Sequence, residues 1–259
     1  MLLAIDIGNT NIVIGVFENN KLQGKWRIAT DLKKTSDEYR IIIESLLSKK
    51  EIKIDAGIYS SVVPSLDKVF NQFFKECFNV NPLIVSYKLN LGINIRYKNP
   101  EEIGADRLVN ASAAVHLYGA PVIIIDFGTA TTFCLVDKNK NYCGGLILPG
   151  ITLMRNALHT GTAKLPEVEF IKPSWIIGDS TVAGIQAGLY YQNVGAINYI
   201  LNLLLKNYEK DSKIILTGGF AVLFQDGIKY PTIYDPELTL KGLNLIYNLN
   251  LEAKKWRFI

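Results

Sequence analysis

Histidine and cysteine are scarce: the 259 residues hold two of the first and three of the second. His116 and His159 lie far apart, and Cys77, Cys134 and Cys143 fall in no metal-ligand spacing, which argues against a zinc site. An odd number of cysteines fits no closed set of disulfides. No apolar run approaches the ~18 residues that a membrane-spanning helix needs. The N-terminus lacks the basic stretch of a signal sequence, and Asp6 interrupts its apolar run. Charge of one sign is also missing. The formal net charge is +4, and the basic residues are scattered, apart from pairs such as Lys33-Lys34 and Lys49-Lys50 that read as solvated helix surface. That balance gives nucleic acid little to bind and suits a small anionic substrate better. The expectation is a reduced, soluble, cytoplasmic protein with neither a membrane nor a nucleic acid as partner.

Apolar residues make up 49% of the chain and charged residues 20%, enough for one large domain or two ordinary ones with buried cores. LLAIDI and NIVIGVF read as strands, and Glu18-Asn19-Asn20-Lys21 as the turn into a third, LQGKWRIAT. Thr35-Ser36-Asp37-Glu38 has the form of a capping box. Behind it Tyr39, Ile42, Ile43, Leu46 and Leu47 keep the spacing of one buried helical face, with Lys49 and Lys50 at its end. AGIYSSVV predicts a strand, SLDKVFNQFFKECF after Pro64 a helix, and PLIVS a further strand. Residues 99–118 read as one helix, with Asn99 as cap and Pro100 at its first position. A long helix from about Thr181 to Leu205 and a strand in SKIILTGGF follow. The alternation is that of an α/β protein.

The informative stretch is IDIGNTN, residues 5–11, where a buried strand runs into a carboxylate, a glycine and a hydroxyl on one tight turn. It returns as IDFGT at residues 125–129, with Asp6 and Asp126 120 residues apart. Each copy is followed by a strand, a hairpin turn and another strand, with one residue fewer in the second turn. An internal repeat of this kind predicts two domains of related fold, taken as residues 1–115 and 116–259. A single such turn could be explained by glycine conformation and local capping alone. Two copies in register, with a third glycine turn at Thr217-Gly218-Gly219, point to phosphate. Glycine turns expose backbone N–H groups to anions, and threonine hydroxyls add donors. The aspartates would repel phosphate directly, so they predict a cation, the usual companion of a polyphosphate. The expected ligand is ATP clamped in a cleft between the domains, its nucleoside near Gly218 and Gly219.

DIGNTN, TGG and the duplicated hairpin resemble the superfamily of actin, sugar kinases and heat-shock ATPases, whose domains are ribonuclease H-like. GADRLVNA, IDFGTATT, GGLILPGITL and TAKLPEV resemble the type III pantothenate kinases more closely, from Asp6 to about Gly219. The resemblance implies transfer of phosphate from ATP to the primary hydroxyl of pantothenate, giving 4'-phosphopantothenate in the first step towards coenzyme A. It also implies a homodimer, a divalent metal such as Mg2+, and a monovalent cation, potassium or ammonium.

Carried onto matching positions, the resemblance makes Asp106 the proton acceptor. A carboxylate in hydrogen-bond reach of a primary alcohol can orient it and take its proton. As a simple pairing, Asp106 could instead form an ion pair with Arg107 or Arg155. Asp6, Ile7, Gly8, Asn9, Thr10, Asn11, Ile12 and Val13 correspond to the first nucleotide-binding segment, and Thr129 to a further ATP contact. Tyr97, Gly104, Ala105, Asp106, Arg107 and Thr181 correspond to the substrate site, and Asp126 to the monovalent-cation ligand. Outside the family, Tyr97 reads as a half-buried aromatic and Thr181 as a residue beside a helix cap. Proteins described as accessory regulators of transcription resemble the same family, but the chain shows no helix-turn-helix signature and no basic stripe. Other actin-like kinases and polyphosphate hydrolases are longer and lack the GADR and LPG segments together.

Overall fold

Asn19 and Asn20 both take left-handed backbone, at φ 50 and 65, the conformation that a two-residue hairpin turn requires. The reversal expected at Glu18 therefore forms. In the computed structural model, which describes residues 1–48 and 52–255, it joins β2 (Asn11–Glu18) to β3 (Lys21–Ala29). Together with β1 (Leu2–Ile7), β4 (Ala56–Ser61) and β5 (Leu83–Ile84) these strands form a sheet in the order β3-β2-β1-β4-β5. The β1–β2 pair is antiparallel, with Asp6 opposite Val13, and the β1–β4 pair is parallel, with Asp6 opposite Ser60.

Helices from the first third of the chain pack on this sheet. Thr35 and Glu38 close a reciprocal capping box, the Thr35 N–H donating to Glu38 Oε2 at 2.8 Å and the Glu38 N–H to Thr35 Oγ1 at 3.3 Å. It starts α1 (Ser36–Ser48), which buries Tyr39, Ile43 and Leu47. The expected basic end of this helix, Lys49 and Lys50, lies outside the described residues, as does Trp256. Pro64 is the first residue of α2 (Pro64–Phe78) rather than a separate turn, and Asn79 ends that helix in left-handed conformation. Tyr39, Phe70, Phe73 and Phe74 meet Leu3, Ile5 and Ile7 in the core.

The helix expected over 99–118 is broken. A short 3-10 turn, Pro100–Glu102, ends at Ile103, whose backbone is extended (φ −75, ψ 123), and α3 (Ala105–Tyr118) begins two residues later. Asn99 makes no side-chain cap and instead donates from Nδ2 to Glu102 Oε1 at 2.8 Å. The break brings Asp106 into the first turn of α3.

The second sheet repeats the plan. Its strands β7 (Val122–Phe127), β8 (Ala130–Val136), β9 (Asn141–Pro149), β10 (Lys213–Thr217) and β11 (Thr232–Tyr234) run in the order β11-β10-β7-β8-β9, and a two-residue strand β6 (Asn94–Ile95) precedes them in the chain. Antiparallel pairing sets Asp126 opposite Thr132, and parallel pairing sets it opposite Thr217. The residue missing from the second copy is in the acidic turn: residues 8–10 separate β1 from β2, but only 128 and 129 separate β7 from β8. Helices α4 (Ile151–Thr160), α5 (Thr181–Asn207) and α6 (Ala221–Gln225) complete this layer, with Phe127 stacked on Phe224 at 5.3 Å.

The chain divides into two units, Met1–His116 with the segment that begins at Glu237, and Leu117–Pro236. The boundary expected at 115/116 lies at 116/117, but the C-terminal segment corrects the division into 1–115 and 116–259. Helix α7 (Leu238–Lys255) returns to the first unit, where Leu240 is seated over Gly15 of β2 and Gly242 lies against Val109 of α3. Leu238, Leu240, Leu243 and Ile246 are buried, a stripe that needs the apolar face of the first sheet. No helix among the described residues is long and apolar enough to cross a membrane.

Candidate active site

In the first unit, the turn after β1 is tied down from both sides. The Gly8 N–H donates to Asn11 O at 3.0 Å, and Thr30 on the far side of β3 anchors the loop, its Oγ1 donating to Gly8 O at 2.6 Å and its N–H to Thr10 O at 3.0 Å. Asn9 and Thr10 are exposed, whereas Ile7 and Ile12 are wholly buried. Ile7 and Ile12 therefore belong to the expected nucleotide segment through their backbone, and their side chains hold it on the core. Asp6, at the end of β1, accepts a hydrogen bond at 2.7 Å from Ser60 Oγ of β4.

Asp106 lies at the same end of this sheet. Val62, the residue after β4, donates its N–H to Ile7 O at 3.0 Å, and its Cγ1 would lie 3.6 Å from a Cβ on Gly104. The same Cβ would stand 2.5 Å from Asp106 Oδ1. The Asp106 carboxylate therefore lies where a side chain at 104 would begin, and a larger residue there would have to displace it. The Arg107 N–H donates to Asp106 Oδ1 at 2.8 Å. Burial pushes the Asp106 carboxyl above the usual carboxylate range, opposed by that N–H and by the Arg107 charge. Raised proton affinity in a carboxylate at the ends of parallel strands makes Asp106 a candidate for proton transfer. Arg107 is itself buried, and Arg155 of the second unit faces Glu167 at 3.6 Å.

The second turn is built more tightly. The Gly128 N–H donates to Ala130 O at 3.2 Å, and the Gly150 N–H at the start of α4 donates to Thr129 O at 3.1 Å. Gly218 has φ +89, and a Cβ there would lie 2.5 Å from both Asp126 Oδ1 and Phe127 N. The TGG turn thus presses directly on the acidic turn of its own unit. Thr181 is the exposed first residue of α5, and the Ser180 side chain makes the cap by accepting from the Ala183 N–H at 3.2 Å. Tyr97, in the first unit, is 37% exposed, in keeping with a partly buried aromatic.

Among the described residues, no three His, Cys, Asp or Glu side chains gather into a metal cage. Mg2+ bound with a nucleotide keeps several waters and takes one or two carboxylates plus phosphate oxygens, so it needs no such cage. Asp6 is a carboxylate of the kind that could serve it. Sequence reasoning missed Ser60, Thr30 and the role of Gly150. Ser60 carried a readable signal, a hydroxyl in the otherwise apolar run GIY of a buried strand. Thr30 carried none, because its contact depends on how β3 returns past the turn.

The family model of type III pantothenate kinases matches residues 2–203. The chain belongs to that family. It is accordingly an ATP-dependent kinase that uses a divalent metal and a small-molecule substrate. Among solved structures, a Campylobacter jejuni protein described as a Baf family transcriptional activator is similar over 96% of this chain and 99% of its own, at 20% identity and TM-score 0.62. A Sinorhizobium meliloti protein described as a 2-dehydro-3-deoxygalactonokinase covers 96% and 98%, at 12% identity and TM-score 0.61. A ROK hexokinase from Thermus thermophilus covers 98% and 99%, at 15% and 0.52. At such identities the likeness shows the fold, which is the actin-like α/β fold expected from the duplicated hairpin. Trp175 is 79% exposed in the single chain, and His159 Nδ1 lies 3.0 Å from Leu165 O.

Proposed function

We propose that this kinase phosphorylates the primary hydroxyl of pantothenate to give 4'-phosphopantothenate, the first step of coenzyme A biosynthesis, with Asp106 as the general base. The hydroxyl oxygen attacks the γ-phosphorus of ATP, the bond to the bridging oxygen breaks, ADP leaves with the electron pair, and the hydroxyl proton passes to Asp106. The transition state is loose, so Asp106 acts mainly by orienting the alcohol and receiving its proton late. Segment 6–13 and Thr129 would hold the nucleotide, Asp6 would help to hold the divalent metal, and that metal would supply positive charge to neutralise the phosphates. Tyr97, Gly104, Ala105, Arg107 and Thr181 contact pantothenate. Asp126 holds potassium or ammonium, and the enzyme works as a cytoplasmic homodimer, as the family resemblance implies.

The observation that carries the assignment is the family match, supported by the Asp106 carboxylate, which stands beside Gly104 with raised proton affinity. The test is ADP release against a panel of pantothenate, glucose and acetate. Pantothenate-dependent ADP formation that rises with added potassium is the expected result. Dependence on glucose, on acetate or on no acceptor overturns the reading.

A further inference from the structure

Ser60 lies on β4, between buried Tyr59 and the strand end, and is 0% exposed. Its hydroxyl has no access to solvent, and a buried hydroxyl must find a partner inside the protein. It donates to Asp6 Oδ1 at 2.7 Å, the length of a hydrogen bond to a charged oxygen. The geometry follows from pairing. Asp6 and Ser60 are register partners on adjacent parallel strands, so their side chains leave the same face of the sheet. The second unit repeats the arrangement of residue types: Thr217 of β10 is the parallel partner of Asp126 and is likewise buried. A hydroxyl residue beside the turn aspartate thus occurs at the same place in both sheets, although the surrounding strands share little sequence.

We propose that Ser60 is a positioning residue for nucleotide binding: it holds one oxygen of Asp6 and so sets the plane in which the carboxylate meets the metal and triphosphate. The inference rests on the reading that Asp6 faces that metal. Partners that orient a ligating carboxylate typically change metal affinity by about 10–100-fold when removed.

The experiment is calorimetric titration of the full chain with Mg2+·ATP, with pantothenate titrated separately and melting measured without ligand. Ser60→Ala is expected to bind Mg2+·ATP about 10–100-fold more weakly, to bind pantothenate as the parent does, and to melt only a little below the parent, as loss of one buried hydrogen bond implies. Ser60→Thr, which keeps the hydroxyl, is expected to recover most of the lost affinity. Equal Mg2+·ATP affinity in Ser60→Ala and parent overturns the proposal. So does a loss shared by Mg2+·ATP, pantothenate and melting, or a Ser60→Thr variant as weak as Ser60→Ala. If the alanine variant does not fold, Ser60→Cys, of similar size and a weaker donor, is measured in its place against the same outcomes. A parent chain that fails to bind Mg2+·ATP refutes the reading of Asp6 as well, which separates the two failures.

Discussion

The two acidic turns descend from one pattern and have been finished differently. The first has three residues, leaves Asn9 and Thr10 exposed, and is held by hydrogen bonds from Thr30 and Gly8. The second has two residues and is wedged between Gly150 at the start of α4 and Gly218 of the TGG turn. The first therefore leaves part of its length open to solvent. The second is pressed close around its carboxylate, which suits a position where backbone geometry must not drift. The lesson is that duplication preserved the strand register and the aspartate, while each turn acquired its own means of support.

The largest expected effect tests whether chemistry resides beside the first turn. Asp106→Asn should keep the fold and the binding of ATP but lower turnover roughly 10²–10⁴-fold, the range for a removed general base. Turnover at the parent rate would remove Asp106 from the chemistry and erase the functional difference between the units. A second effect of the same residue concerns pH. Burial raises the Asp106 proton affinity in the folded protein, and only the deprotonated form can accept the alcohol proton. The acid limb of kcat/KM should therefore fall at a higher pH than an ordinary carboxylate would give. The sign for stability is opposite: the folded state binds this proton more tightly than the unfolded chain, so the group's contribution rises as pH falls through its folded value. Asp106→Asn should abolish that contribution, which urea titrations across the acid range would reveal.

Much of this was legible in the chain. The place of Asp6, Gly8 and Asp126 on two strand-ending turns could be read because the same apolar run, carboxylate and glycine occur twice. The capping box at Thr35 and the hairpin at Asn19-Asn20 rest on local chemistry, and both form as expected. The failures share a cause. Helix α7 joins the first unit because its leucine stripe meets a sheet more than 200 residues earlier, a contact that no local pattern encodes. The helix over 99–118 breaks at Ile103, a buried residue in extended backbone, although Asn99 and Pro100 are good starting residues. Ser60 and Thr30 act across strands, and their partners become visible only once the register is known.

The difference between the turns can be sharpened by adding one carbon to each. At Gly218 a methyl group would meet Asp126 Oδ1 and Phe127 N at 2.5 Å, on a backbone with φ +89. Gly218→Ala should destabilise the protein by about 1–3 kcal/mol, the usual strain of a non-glycine residue held in an unfavourable backbone region. At Gly8 the corresponding atom would lie 3.0 Å from Asn11 O, without a positive φ, so Gly8→Ala should cost less. Thermal unfolding of the two variants ranks them directly. The reverse ranking would show that the first turn, despite its exposed residues, is the more tightly built.

The smallest effect concerns the anchor of the first turn. Thr30 Oγ1 donates to Gly8 O at 2.6 Å from a partly buried position. Thr30→Ala removes the donor but leaves the Thr30 N–H on Thr10 O, so one of two ties remains. The expected loss of stability is about 0.5–1.5 kcal/mol, the net worth of one such hydrogen bond. Affinity for Mg2+·ATP should fall modestly because the outward residues Asn9 and Thr10 lose part of their support. Thr30→Ser keeps the donor and should behave like the parent in both measurements. If Thr30→Ala left ATP affinity untouched while lowering stability, the side-chain anchor would belong to the fold alone. The contrast between a hydrogen-bonded turn and a glycine-wedged one would then be a matter of packing, unrelated to ligand binding.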